Sequence, residues 1–94
     1  MTLTIDFSQI KTDRALNELL AHSFNLAALV NGAYGYNLSA FWDTYAYLND
    51  DDLILVMNSQ PVTDPGLKET ISAFIEILED LRGTNPHFSF QIIS

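Results

Sequence analysis

The sequence predicts an α/β domain, a three-stranded parallel sheet packed against three or four helices, and three observations predict it. Runs of strand character at Thr2 to Phe7, Leu53 to Met57 and Phe88 to Ile93 are separated by segments whose apolar residues recur at helical spacing. Those connections are long enough to hold helices, the condition for joining parallel strands through right-handed crossovers. The central run, Leu53-Ile54-Leu55-Val56-Met57, has no polar alternation, as expected of a parallel strand covered on both faces.

Each element has a local reason. In the first strand Leu3, Ile5 and Phe7 alternate with Thr2, Thr4 and Asp6. Thr12 is placed to cap the first helix, with Asp13 in its first turn, where negative charge suits the dipole. Leu16, Leu19, Leu20 and Ser23 share one face, Phe24 lies at its edge, and the helix is expected to end near Asn25. Asn25 to Tyr36 reads as an apolar loop broken at Gly32 and Gly35. Leu26, Leu29 and Val30 are expected to add a turn of helix on the core. Asn37 caps a second helix in which Leu38, Phe41, Trp42, Tyr45 and Leu48 recur. Asn49-Asp50-Asp51-Asp52 reads as a solvated turn, and Asn58 to Gly66, with Pro61 and Pro65, as a loop. The longest helix starts near Pro65 and carries Leu67, Ile71, Phe74, Ile75, Leu78 and Leu81. Gly83 is its expected stop, and Phe88 to Ile93 is the closing strand.

The chain has 94 residues, 48% of them hydrophobic. That suffices for one core, and no repeat or linker divides the single domain, 1–94. Without cysteine, neither a disulfide framework nor a thiolate metal site is available. No apolar run approaches the roughly 20 residues that span a bilayer. The N-terminus lacks the basic flank and apolar stretch of a secretory signal. A cytoplasmic location is expected.

Twelve acidic residues face four basic ones, Lys11, Arg14, Lys68 and Arg82, for a net charge of −8. Such a field repels phosphate backbones and anionic lipid, so neither nucleic acid nor a membrane is an expected partner. A basic protein is favoured, although acidity also simply maintains solubility.

Catalytic chemistry has little support. His22 and His87 stand alone, and nothing in the spacing positions a nucleophile beside a base. Asp50, Asp51 and Asp52 resemble a cation site in composition only, with no twelve-residue calcium loop. The glycines form no phosphate-cradling pattern. Neither an enzyme nor a cofactor is expected.

The second helix is more informative. At about 100° per residue, Phe41, Tyr45 and Leu48 fall on the buried side. Ser39, Asp43 and Tyr47 fall opposite, flanked by Trp42 and Ala46. An ordinary amphipathic helix reads this way too. Yet tyrosine and tryptophan are enriched at interface centres. On the long helix Glu69, Glu76 and Asp80 share the outer face. Two like charges four residues apart cost roughly a few tenths of a kcal/mol. A ridge awaiting a cation and a solvated face both explain them.

The segment Tyr34-Gly35-Tyr36-Asn37-Leu38-Ser39-Ala40-Phe41-Trp42-Asp43 resembles a pattern of the barstar family, inhibitors of barnase-type ribonucleases: tyrosine-glycine-x-asparagine-leucine-aspartate-alanine-leucine-tryptophan-aspartate. Length, acidity and element order are similar as well. The resemblance implies a barstar-like fold and an inhibitor, monomeric when free, that plugs the active site of a basic ribonuclease or nuclease toxin. It implies that Asp43 takes the place of a substrate phosphate. Trp42 matches the family tryptophan, Asn37 the asparagine at the helix start and Tyr34 one of two neighbouring tyrosines, with Ala33 where the other would stand. Asp80 is the best counterpart of a contributing acid on the long helix, with Glu76 and Glu79 as neighbours. Three departures stand out. Ser39 replaces the first aspartate, Tyr36 replaces an acidic residue, and Tyr47 occupies the place of a small glycine. They point to a nuclease other than barnase.

Other readings stay open: an immunity protein for a delivered toxin, or a regulator with a non-nuclease partner. An acyl carrier would use Ser39 at the helix start, against the expected strands. An oligomer would pair through Tyr36, Trp42 and Tyr47.

Overall fold

The structure, a computed structural model, describes residues 1–30, 33–45 and 51–93. Gly32, Leu48, Asn49 and Asp50 of the sequence argument lie outside them. The elements are β1 (Thr2–Asp6), α1 (Asp13–Ser23), a 3-10 turn (Leu26–Leu29), α2 (Leu38–Tyr45), β2 (Asp52–Met57), α3 (Pro65–Thr84) and β3 (Phe88–Ile93). The strands are parallel in the order β1-β2-β3. The described residues therefore form an α/β protein with a three-stranded parallel sheet and three α-helices.

Register explains which side chains reach the core. Ile5 lies opposite Val56, and Ile54 lies between Leu3 and Phe90. On this face Ile5, Ile54, Val56 and Phe88 are buried beneath the helices. The opposite face corrects one expectation. Leu53, Leu55 and Met57 are only half-buried and do not pack on the core cluster. Their rows are completed by Thr2 and Ser89, Thr4 and Gln91, and Asp6 and Ile93. β2 is thus not covered on both faces. Its apolar run is shielded only by its neighbours, and the polar residues of β1 and β3 mark that face as open.

The Thr12 hydroxyl accepts a 3.1 Å bond from the Ala15 N–H and starts α1. Leu16 and Leu20 are fully buried and Leu19 and Ser23 half-buried, but Asn17 and Ala21 are buried as well. The buried stripe extends to these two positions, and Asn17 Nδ2 finds a partner within the helix by donating back to Asp13 O at 2.9 Å. α1 stops at Ser23, with Asn25 at φ 52°. In the following turn Leu26 is buried and Val30 packs on the core, whereas Leu29 is 52% exposed and does not.

At α3 the Leu67 N–H donates to Asp64 Oδ2 at 2.8 Å, with Pro65 at the first helical position. Leu67, Ile71, Phe74, Leu78 and Leu81 are buried. Gly83 does not end this helix, contrary to expectation. It lies within α3, and Asn85 closes it through a 2.7 Å bond to Leu81 O. Pro86 follows, and a residue before proline is pushed out of helical geometry.

Asp52 departs furthest from the sequence reading. It opens β2 and is buried, with Tyr45 donating to its Oδ2 at 2.7 Å and the amino group of Met1 3.2 Å from Oδ1. It is no part of a solvated turn.

Candidate functional site

Loop 33–37 and α2 hold most of the candidate residues, and Asn37 organises both. Its Oδ1 accepts from the Ala40 N–H at 2.7 Å, and its Nδ2 donates to Gly35 O at 3.2 Å. One amide therefore caps the helix and folds the loop against it. A Cβ at Gly35 would lie 3.0 Å from Asn37 Nδ2 and 3.4 Å from the Ala40 Cβ. The motif needs a glycine there for close approach.

Tyr34 is 7% exposed, and its hydroxyl is buried without a partner among the described residues. Burial, and secondarily Tyr36, push its phenol above the ordinary value. Tyr36 is 42% exposed and sits at φ 48°. Its ring meets that of Tyr34 edge to face, with centroids 5.0 Å apart and planes at 78°.

α2 is fixed from below. Phe41 and Tyr45 are fully buried, with ring centroids 5.4 Å apart. Phe41 lies 6.2 Å from Phe74 of α3, and Tyr45 lies 4.8 Å from Phe24 and 5.4 Å from Phe88. Trp42 is half-buried and packs on the core, and its Nε1 is buried with no partner among the described residues. It is less a surface residue than the helical projection placed it, so the oligomer patch of Tyr36, Trp42 and Tyr47 loses its central exposed ring.

Ser39 and Asp43, one turn apart, are both exposed. Among the described residues Asp43 has no ion pair and no hydrogen bond. Ala46 and Tyr47, the other candidates expected on this helix from the sequence, lie outside the described residues.

Asp80 is exposed on α3, which packs against α2 through Phe74 and Phe41. With Glu76 and Glu79 it rims a shallow depression around half-buried Ile77. Three of the four basic side chains are engaged elsewhere. Arg14 pairs with Glu18 at 2.9 Å, Lys11 donates to Ser8 O at 2.9 Å, and the Arg82 guanidinium lies 4.8 Å from the Phe90 ring centre. Among the described residues no ion pair joins a carboxylate of α2 or outer α3 to a cation.

A cavity of about 470 Å³ opens where β1 and β2 end, lined by residues including Phe7, Ser8, Lys11, Asn58, Asp64 and Leu67. Beside it Asn58 Nδ2 donates to Asp6 Oδ1 at 2.7 Å, while Ser8 donates to the same oxygen through N–H and hydroxyl. These bonds, Asn58 first, hold the Asp6 carboxyl below its ordinary value of 3.8. This group has no local sequence signal, because Asp6 at the end of β1 and Asn58 after β2 are 52 positions apart.

His87 Nδ1 lies 2.9 Å from Asp51 Oδ1. Among the described residues no three His, Asp or Glu side chains are grouped to hold a metal, and no helix is long and apolar enough to cross a membrane. Compared with family models, curated proteins and solved structures, the chain matches none of them.

Proposed function

We propose that this chain is a barstar-like inhibitor, acting in the cytoplasm as a monomer, that docks on a basic ribonuclease or nuclease toxin and blocks its active site. The observation that carries the proposal is Asp43. It is an exposed carboxylate on a helix anchored by two fully buried aromatic residues, with no cation or donor of its own among the described residues.

The physics suits a decoy for a substrate phosphate. A carboxylate on a fixed helix loses little freedom on docking. Against arginine in a dry site it makes short, charge-assisted hydrogen bonds. In this reading Asn37 and Gly35 set the loop that enters the site. Ser39 and Tyr36 adapt the face to a nuclease other than barnase. Trp42 contributes only its exposed edge. Ala46 and Tyr47, outside the described residues, are assigned to this face on the sequence alone, and Asp80, with Glu76 and Glu79, adds a second acidic patch from α3. The net charge of −8 speeds encounter with a basic enzyme. No step of catalysis and no cofactor is assigned to the chain.

Titration of basic ribonucleases, including toxin nuclease domains, tests this at low and high salt. The expected result is stoichiometric loss of activity for at least one enzyme, with association slowing as salt rises. Full activity of every enzyme at micromolar inhibitor would refute it.

A further inference from the structure

Three described non-glycine residues sit in the left-handed backbone region: Asn25 at φ 52°, Tyr36 at 48° and Asn58 at 56°. Asparagine tolerates that region through its short polar side chain, whereas a tyrosine is strained there. Such strain persists only where the surroundings over-determine the conformation, and it concentrates at functional sites. The surroundings of Tyr36 do this. Gly35 is pressed against Asn37, Asn37 is committed to capping α2, and the Tyr34 ring lies edge to face with that of Tyr36. The ring is nevertheless not taken into the core. Tyr36 is 42% exposed and, among the described residues, is the one aromatic of the exposed large apolar side chains.

We propose that Tyr36 is a fixed aromatic platform for the guanidinium of an arginine on the basic partner, and that it sets a preference for arginine over lysine at the loop end of the docking face. The inference rests on the reading of α2 as that face. Charge complementarity names the occupant: Asn37 caps the helix directly after Tyr36, and Asp43 follows about 9 Å along the axis with no counter-cation among the described residues. A guanidinium is planar and weakly hydrated and stacks on aromatic rings, while an ammonium is compact and strongly hydrated. A carboxylate at position 36 would attract either cation by its charge. A ring separates them.

The test uses hexa-arginine and hexa-lysine amides as probes, titrated at low salt into the whole protein and followed by NMR. The wild type should bind hexa-arginine about two- to five-fold more tightly, with the largest shifts at Tyr36 and around Asp43. Tyr36→Phe should keep that ratio. Tyr36→Asn, which suits the same backbone without strain and so preserves the fold, should bring it to one. Asp43→Asn should weaken both peptides alike. An arginine-to-lysine ratio near one in the wild type, or one unchanged in Tyr36→Asn, would overturn the inference. The peptide ratio is read without any nuclease, so its failure and a failure of ribonuclease inhibition are separate results.

Discussion

Tyr45, at the end of α2, donates a 2.7 Å hydrogen bond to Oδ2 of Asp52, at the start of β2, and both side chains are buried. This bond ties the helix that displays Asp43 to the central strand of the sheet. Removing the donor would leave a buried carboxylate short of one partner, which costs about 1–3 kcal/mol. Tyr45→Phe should lower stability by that amount in urea denaturation. Tyr36→Phe, altering an exposed ring, should change it by less than about 0.5 kcal/mol.

The two side-chain caps separate stability from presentation. Thr12→Ala and Asn37→Ala each remove a bond to a helix N-terminus and should each cost about 1 kcal/mol. Only Asn37→Ala should also loosen loop 33–37, because Asn37 Nδ2 holds Gly35 O as well. Amide hydrogen exchange at residues 34–40 should rise in that variant and stay unchanged in Thr12→Ala.

Gly83 sits inside α3, and a Cβ there would meet nothing within 4 Å. Gly83→Ala should therefore stabilise the protein by up to about 1 kcal/mol, through helix propensity alone. A melting curve checks the sign. Destabilisation would mean that the helix ends at Gly83.

Asp6 makes stability depend on acidity. Its bonds from Asn58 and Ser8 hold the folded carboxyl below the ordinary 3.8, so on acidification the unfolded chain takes up the proton first. The contribution is fully present above that ordinary value and is lost as pH falls through the lower folded one. Urea midpoints measured from neutral pH down to about pH 2 should fall less steeply for Asp6→Asn than for the wild type.

The parallel sheet, the Thr12 cap and the Asn37 cap were legible in the sequence because each rests on a local rule: periodicity, or an oxygen reaching an N–H three residues on. Where a long-range partner decided the outcome, the local rule failed. Asp52 looked solvated beside other aspartates, yet Tyr45 draws it into the core. Gly83 looked like a stop, yet the helix runs on to Thr84 and closes at Asn85, just before Pro86. β2 looked covered on both sides because its own residues are apolar, and only its register with Thr4 and Gln91 exposes one face. At the candidate site the outward placement of Ser39 and Asp43 followed from helical geometry alone. The burial of Trp42 Nε1 did not, since it depends on how far α2 sinks between its neighbours.

The most direct test of the central claim compares ribonuclease inhibition by Asp43→Ala, Asp51→Ala and Glu18→Ala, each of which removes one negative charge. Glu18 already faces Arg14 and Asp51 faces His87, both at 2.9 Å, whereas Asp43 meets no cation among the described residues. Asp43→Ala should weaken inhibition by about 2 kcal/mol or more, roughly 30-fold, while the other two stay close to the wild type. Equal losses in all three would show that the overall field, and not the carboxylate on α2, recognises the enzyme.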